Sequence, residues 1–575
     1  MIMRAQGTTY LPLWKKSYKI GNFSMYASSY KYINFWRDVN MNAKIRQMSF
    51  LTCICVMLAI SFSACGKISE KAYYDTSRME VNYNGISNMS ANITAEMEYM
   101  GNNGFVVQED FNTEDYNTIY ENKFLDTVNN PLSTFSIDVD TASYSNVRRF
   151  LSSGTKPPVD AVRIEEMINY FKYDYPQPEG EDPFSVTTEI APCPWNEKNK
   201  LLLIGLQGEK IESKDLPPSN LVFLLDVSGS MDEPNKLPLI KSGFKLMVDQ
   251  LREEDRVAIV VYAGAAGLVL DSTSGKDKDK ILSAISNLEA GGSTAGAEGI
   301  ELAYKIAKKN FIASGNNRVI LATDGDFNVG VSSESELTRL IEKKRKEGIF
   351  LTVLGFGTGN IKDSKMESLA DKGNGNYAYI DNIMEARKVL VNEMGSTLFT
   401  IAKDVKIQVE FNPAKVKSYR LIGYENRLLA KEDFNNDLVD AGELGAGHSV
   451  TALYEIVTED SDVETSSVDK LKYQESTLIP SDEIATLKLR YKKPGGDESK
   501  LLTYTIGDQN IKDSLSNNMK IASTVAEFGM LLRDSQYKGT ANYDAVLQRA
   551  NEVQNDDTGY WKEFIGMVRK AASMK

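Results

Sequence analysis

The sequence predicts an α/β protein with a central doubly wound sheet, an N-terminal α+β domain and a C-terminal domain of strands and helices. Two observations support this prediction. Apolar runs and amphipathic segments alternate between residues 220 and 400, which is the pattern of strand–helix units. The chain of 575 residues also exceeds the size of one ordinary core, so we expect several domains.

The central strands are predicted from short apolar runs that end at polar or glycine residues. These runs are residues 221–225, 257–262, 268–270, 319–323, 350–356 and 376–380. The predicted helices between and after them are residues 236–251, 278–288, 295–309, 334–347, 365–372 and 384–401. In such a sheet, ligands bind outside the carboxyl ends of the strands.

An N-terminal domain is predicted over residues 131–215, the central domain over 216–400 and a C-terminal accessory domain over 401–575. The first begins with Phe135, Ile137 and Val139, which alternate with polar residues as in a half-buried strand. Asp138 and Asp140 could bind a metal, but the alternation favours an outward strand face. The remaining elements are helices at 141–151, 162–171 and 517–572, and strands at 184–190, 200–207, 405–411, 418–425, 448–456 and 484–491.

The first 64 residues predict an upstream extension followed by a lipoprotein signal peptide. A basic stretch with Lys44 and Arg46 precedes an uncharged apolar run at 48–62, which is too short for a typical membrane-spanning helix. Phe62-Ser63-Ala64-Cys65 then resembles a bacterial lipobox, with Cys65 as the lipidated first residue of the mature chain. Either the true start is Met41 or the basic region is unusually long. Residues 65–130, rich in Asn, Ser and Glu, predict a flexible tether.

The charge distribution argues against a nucleic-acid partner. The chain carries a net charge of -13, but residues 1–64 hold eight Lys/Arg and only one Asp. The remaining residues therefore carry 58 basic and 78 acidic side chains, and they offer no basic stripe for a phosphate backbone. After signal cleavage Cys193 has no cysteine to pair with, except Cys65 at the lipid site. We expect a buried thiol at Cys193 rather than a nucleophile.

Several enzyme classes are excluded or unsupported by the residues present. His448 is the only histidine, which rules out a Ser-His-Asp triad and zinc sites with two or more histidines. The glycines at 355, 357 and 359 have the wrong spacing for a dinucleotide loop. Asp433, Asn435 and Asp437 imitate the start of a calcium loop, but Leu438 stands where that loop needs glycine. We therefore expect a protein that is not an enzyme.

A metal site is predicted where the strand 221–225 ends. Asp226-Val227-Ser228-Gly229-Ser230 places one carboxylate and two hydroxyls at alternate positions, which makes a cup of hard oxygen donors suited to Mg²⁺ or Mn²⁺. Thr294 precedes a predicted helix, and Asp324 follows a second buried strand. Together the five residues resemble the metal-ion-dependent adhesion site of von Willebrand factor A domains.

The charge of such a site indicates its use. Two carboxylates balance a divalent ion, whereas neutral hydroxyls leave the ion electrophilic. Mg²⁺ takes six oxygens, so a position remains for water or for a carboxylate of another molecule. We therefore expect a protein partner that presents Asp or Glu.

Longer stretches resemble the YfbK-type bacterial A-domain lipoproteins. They are residues 131–145, 162–171, 193–196, 376–381 and 441–454. The resemblance spans about residue 130 to the C-terminus and implies a family-specific N-terminal domain, a central A domain and a C-terminal domain.

Two functions follow from these expectations. The first is a lipid-anchored binding protein of the bacterial cell envelope, outside the cytoplasm. The alternative is a regulatory subunit of a chelatase-like or ATPase-associated complex, which would need cytosolic ATP.

Overall fold

The computed structural model describes residues 19–20, 23–24, 113–292, 296–325, 334–463, 478–554 and 558–574. Two short strands, Lys19–Ile20 and Phe23–Ser24, pair within a unit formed by residues 1–108. The other described residues belong to a second unit, residues 109–575, which we call the body. The predicted signal segment and Cys65 lie outside the described residues. Among the described residues, no helix has both the length and the apolar character needed to cross a bilayer.

The body is built from strands in three sheets and from helices that cover them. Its described strands are β1 (Leu125–Asp126), β2 (Leu132–Ser136), β3 (Phe184–Pro192), β4 (Lys200–Gly208), β5 (Ser219–Asp226), β6 (Arg256–Tyr262), β7 (Ala266–Ser274), β8 (Asn316–Thr323), β9 (Phe350–Phe356), β10 (Tyr377–Ile380), β11 (Thr400–Phe411), β12 (Val416–Ile422), β13 (Gly442–Gly445), β14 (Ser449–Thr458), β15 (Ala485–Lys492) and β16 (Ser499–Ile506).

The helices connect these strands and also close the C-terminal end of the body. The described α-helices are α1 (Ala142–Ser152), α2 (Ile164–Asn169), α3 (Leu237–Asp249), α4 (Lys278–Ser286), α5 (Gly296–Lys309), α6 (Glu334–Lys346), α7 (Asp363–Lys372), α8 (Ile383–Arg387), α9 (Met394–Leu398), α10 (Asn517–Arg533), α11 (Tyr543–Glu552) and α12 (Tyr560–Ser573).

The central sheet confirms the predicted α/β fold class. Its strand order is β10-β9-β8-β5-β6-β7, with parallel neighbours except for the antiparallel pair β6–β7. Every residue of β5 and β8 is buried. Helices cover both faces of the sheet, which explains why each of the two strands contains a continuous apolar run, residues 221–225 and 319–322.

The segments on either side of the central sheet fold together. β4 pairs with β14 over Lys200–Gln207, and β2 pairs with β11. One apolar cluster contains Leu225 and Ile259 of the central sheet together with Ile407 of β11. The predicted N-terminal and C-terminal domains therefore share two antiparallel sheets and a core. Strand pairing across more than 200 residues leaves no local pattern in the sequence.

The predicted elements differ from the structure at several places. Residues 113–130, assigned to the tether, belong to the body, because Thr113 N donates to Gly359 O at 2.7 Å and β1 pairs with β12. The helix predicted at 384–401 is broken into α8, a π-helical turn (Lys388–Asn392) and α9, and β11 begins at Thr400. The amphipathic edge strand β16 is absent from the prediction.

The prediction of an outward face for Asp138 and Asp140 is wrong. β2 ends at Ser136, and the backbone beyond it enters the interior. Both aspartates are buried and form ion pairs with Arg427, at 3.2 Å from its Nε to Asp138 Oδ2 and 3.3 Å from its Nη2 to Asp140 Oδ2. An arginine nearly 290 residues away supplies the charge that makes this burial possible.

Candidate metal site

The register of the central sheet brings the two predicted metal-binding aspartates to the same edge. Leu225 of β5 lies beside Ala322 of β8, and Asp226 lies beside Tyr262 of β6. Asp324 follows the last residue of β8. Because these strands are parallel, their carboxyl ends open into neighbouring loops, where ligands bind in doubly wound sheets.

The oxygen atoms at this edge have the spacing that a small octahedral cation requires. Ser228 Oγ lies 3.1 Å from Ser230 Oγ, and Ser230 Oγ donates to Asp324 Oδ2 at 2.9 Å. Metal–oxygen bonds of about 2.1 Å would place adjacent ligands of Mg²⁺ about 3 Å apart. Ser230 is exposed, so the oxygen set is open to solvent on one side. The residues present therefore fit Mg²⁺ or Mn²⁺.

Asp226 shapes the loop from beneath this oxygen set. Its Oδ1 accepts a hydrogen bond from Ser228 N at 2.9 Å, which fixes the turn that carries both serines. Thr323 Oγ1 donates to its other oxygen at 3.5 Å. The carboxylate of Asp226 therefore holds the loop in shape whether it binds a metal directly or through water.

Thr294 lies outside the described residues, but the backbone that leads to it reaches the site. Gly291 N donates to Val227 O at 2.7 Å, and Gly292 O accepts from Gly229 N at 3.0 Å. These two bonds join the loop before α5 to the loop after β5. The placement of the Thr294 side chain stays a prediction.

Burial dominates the electrostatics of the site. Asp226 and Asp324 are both 0% exposed. Loss of hydration raises the pKa of Asp226 to about 6, while hydrogen bonds from Ser228 and Tyr262 oppose the rise and the charge of Asp324 adds to it. At neutral pH Asp226 is mostly ionised, but its charge is costly, so a bound cation would relieve it. Protons should compete with the cation below about pH 6.

Lys236 belongs to the site and was missed by sequence reasoning. Its Nζ donates to Asp324 Oδ2 at 3.2 Å, and the residue is buried. It occupies the N-cap position of α3. A positive charge is unfavourable at a helix N-terminus, so a lysine there, ten residues after Asp226, was the signal available in the sequence.

The possible calcium loop and Cys193 do not belong to the metal site. Asp433 and Asn435 lie in a 3-10 turn, and Asp437 accepts from Ser499 N at 3.2 Å through its carboxylate, so this segment forms a polar turn as expected. Cys193 is free and buried, and burial raises the pKa of its thiol well above the usual range. A neutral, buried thiol agrees with the expected packing role.

A doubly wound sheet with this oxygen set at its carboxyl edge defines a von Willebrand factor A domain, a class of protein–protein interaction module that often binds a metal at its adhesion site. The family described as "von Willebrand factor type A domain" matches residues 220–392. Models described as "von Willebrand factor" and "Uncharacterized protein YfbK, C-terminal" match residues 110–203 and 396–574.

The particular family follows from a curated relative. The chain is 45% identical over 471 residues to "Uncharacterized protein YfbK" of Escherichia coli (strain K12). The matched region covers 80% of this chain and 81% of the relative. The chain therefore belongs to the YfbK family of proteins with a von Willebrand factor A domain.

Solved structures are also similar to this chain. A von Willebrand factor type A protein from Catenulispora acidiphila is 16% identical, covers 69% of this chain and 92% of its own, and has a TM-score of 0.40. Proximal thread matrix protein 1 from the mussel byssus, with a "zinc occupied MIDAS motif", is 24% identical, covers 31% of this chain and 45% of its own, and has a TM-score of 0.25.

Proposed function

We propose that this protein is a lipid-anchored binding protein of the bacterial cell envelope, which holds a protein partner through a divalent metal ion. The metal is Mg²⁺ or Mn²⁺, and the partner supplies an Asp or Glu carboxylate. The observation that carries the proposal is that Ser230 Oγ, on an exposed residue, lies 3.1 Å from Ser228 Oγ and 2.9 Å from Asp324 Oδ2, which is the separation of adjacent ligands of Mg²⁺. When bound, the ion would supply an electrophilic position for an external carboxylate.

Each residue of the site has a part in this function. Ser228 and Ser230 offer neutral hydroxyl oxygens, so they add ligands without reducing the charge of the ion. Asp324 contributes one negative charge beside Ser230, and Asp226 contributes a second charge while it fixes the loop. Thr294 would add a third hydroxyl. The role that we propose is binding, because hydroxyl and carboxylate oxygens together would hold an ion that accepts a carboxylate from outside.

The anchoring part of the proposal depends on the sequence of residues 41–65. A basic stretch, an apolar run and a small residue before Cys65 follow one another in the order that a lipoprotein signal requires. A lipid on Cys65 would place the body outside the cytoplasm, where a metal-mediated contact needs no nucleotide. This location favours a binding protein over a subunit of an ATP-driven complex.

The metal is tested by thermal melting of the full chain with and without Mg²⁺. A ligand that binds only the folded state stabilises it by about 2.7 kcal/mol at a concentration a hundredfold above Kd. We expect this stabilisation in the wild type and its loss in Asp226→Ala. Asp232→Ala is the matched control, because Asp232 is an exposed carboxylate in the same loop region. Equal Mg²⁺ shifts in the wild type and Asp226→Ala would remove Asp226 from the site.

A further inference from the structure

Lys236 brings a positive charge into the metal site. Its Nζ lies 3.2 Å from Asp324 Oδ2 and 3.8 Å from Glu233 Oε1. The side chain of Lys236 is 4% exposed and that of Asp324 is buried, whereas the side chain of Glu233 is 59% exposed. Solvent screens the contact with Glu233, so Asp324 is the partner that matters. The oxygen that accepts from Lys236 is the same one that accepts from Ser230.

The glycine loop after β9 fixes the position of this lysine. Gly357 has a φ of +79°, and a Cβ there would lie 2.4 Å from Lys236 Cε and 2.8 Å from Lys236 Cγ. The carbonyl of Gly357 accepts from the Tyr379 hydroxyl at 2.6 Å, which holds the loop against the lysine. Only glycine allows the backbone to pass so close to the lysine stem. The glycine loop at residues 355–359, whose spacing excludes a dinucleotide motif, therefore holds the side chain of Lys236 in place.

The charge count shows what the lysine changes. Asp226 and Asp324 together carry two negative charges, which a divalent ion would cancel. Lys236 adds one positive charge beside Asp324 Oδ2, so the ion and the three described charged residues together would carry a net charge of +1. One carboxylate from outside brings that charge to zero. The arrangement therefore opposes the metal and favours the anion.

We propose that Lys236 is a fixed positive charge that weakens the site for the divalent ion and strengthens it for the carboxylate that completes the coordination of that ion. This inference rests on the proposed function and identifies what selects an acidic partner. It also explains the burial of a lysine at a helix N-terminus, where the helix dipole disfavours it.

The test uses the full-length chain with Lys236→Met, Lys236→Gln and the control Lys245→Met. Lys245 is exposed and lies on α3, so its removal changes the net charge equally but at a distance from the site. Binding of Mn²⁺ is measured by the electron paramagnetic resonance signal of the free ion. Binding of acetate to the Mn²⁺-loaded protein is measured by the water proton relaxation rate, which falls when acetate replaces bound water.

We expect the two Lys236 variants to bind Mn²⁺ about tenfold more tightly and acetate about tenfold more weakly, since a nearby charge acts strongly in a partly buried site. Lys245→Met should match the wild type in both. An effect of charge changes the two affinities in opposite directions. If Lys236 had only a structural role, its replacement would weaken the affinities for Mn²⁺ and for acetate together, and this result would overturn the inference. If the affinities changed in Lys236→Met but not in Lys236→Gln, the cause would be the lost hydrogen bond, because Gln keeps a donor and lacks the charge. This result would also overturn the inference.

The outcomes distinguish the two levels of the proposal. If the wild type binds Mn²⁺ and acetate but the Lys236 variants bind both equally well, only the role of Lys236 is refuted. If the wild type binds no Mn²⁺, the proposed metal site fails and the inference fails with it.

Discussion

Removal of Arg427 should destabilise the body chiefly through the loss of one buried positive charge. Its guanidinium group contacts four carboxylates. Nε lies 3.2 Å from Asp138, Nη1 2.7 Å from Asp371, and Nη2 3.3 Å from Asp140 and 3.2 Å from Glu367. Asp371 and Glu367 lie on α7, which packs on the central sheet, whereas Asp138 and Asp140 follow β2. One guanidinium therefore links the flanking sheets to the A domain.

The size of the effect follows from burial. The side chain of Arg427 is 12% exposed, and three of its partners are 2%, 4% and 6% exposed. Removing one member of a buried ion pair costs about 3–5 kcal/mol, because the other charge stays buried without a partner. We expect Arg427→Met to lower the free energy of unfolding by about 4 kcal/mol at pH 8. The loss should shrink at pH 5, because burial raises the pKa values of Asp140 and Glu367, so these two carboxylates can take up protons when the arginine is gone.

The assay is urea denaturation of the full chain, followed by the fluorescence of Trp195 and Trp561, which lie in one apolar cluster of the body. The matched control is Lys488→Met. Lys488 pairs with Glu410 at 2.7 Å, but these side chains are 30% and 49% exposed, so the pair contributes about 0–1 kcal/mol. If Arg427→Met lowered the free energy of unfolding no more than Lys488→Met does, burial would not strengthen the ion pairs of Arg427, and the prediction would be wrong.

Two further predictions concern pH and anchoring. Burial raises the pKa of Glu166 to about 8 and that of Glu367 to about 7, so protonation favours the folded state. The resulting stabilisation is complete below about pH 4.5 and is lost as pH rises through 7 and 8. The melting temperature should therefore fall between about pH 4.5 and 8 and level off above that, and Glu166→Gln should flatten this fall; an unchanged or steeper fall would contradict the assignment. Cys65→Ser should abolish labelling by a radioactive fatty acid and change the partitioning of the protein between membrane and soluble fractions, whereas a wild type without label would contradict the lipobox.

The parts of the fold that follow from local pattern could be predicted from the sequence. β5 contains the apolar run 221–225 before Asp226, and β8 contains the apolar run 319–322, two residues before Asp324. The two strands, their burial and the edge at which they end can therefore be predicted together. Parallel neighbours in a doubly wound sheet then bring those ends close to each other without further information.

The parts that depend on distant pairing could not be predicted. The residues near Asp138 do not indicate an ion pair with Arg427, and the residues of β2 do not indicate that β2 pairs with β11. The failure at Asp138 and Asp140 has the same cause, because alternation with apolar residues implies a solvent face only when no buried cation is available. Lys236 was missed for a related reason, since its significance depends on Gly357 and Asp324.

The proposed function requires that a metal ion joins this protein to its partner. The most direct measurement is the affinity for a partner captured from native membranes, determined across Mg²⁺ concentrations for the wild type and for Thr294→Ala. This substitution removes a predicted hydroxyl ligand without changing the net charge. We expect it to weaken the affinity about tenfold, or about 1.4 kcal/mol, with an equal or larger loss in chelator that added Mg²⁺ reverses. Full affinity in chelator would contradict the account, because the partner would then bind without the metal.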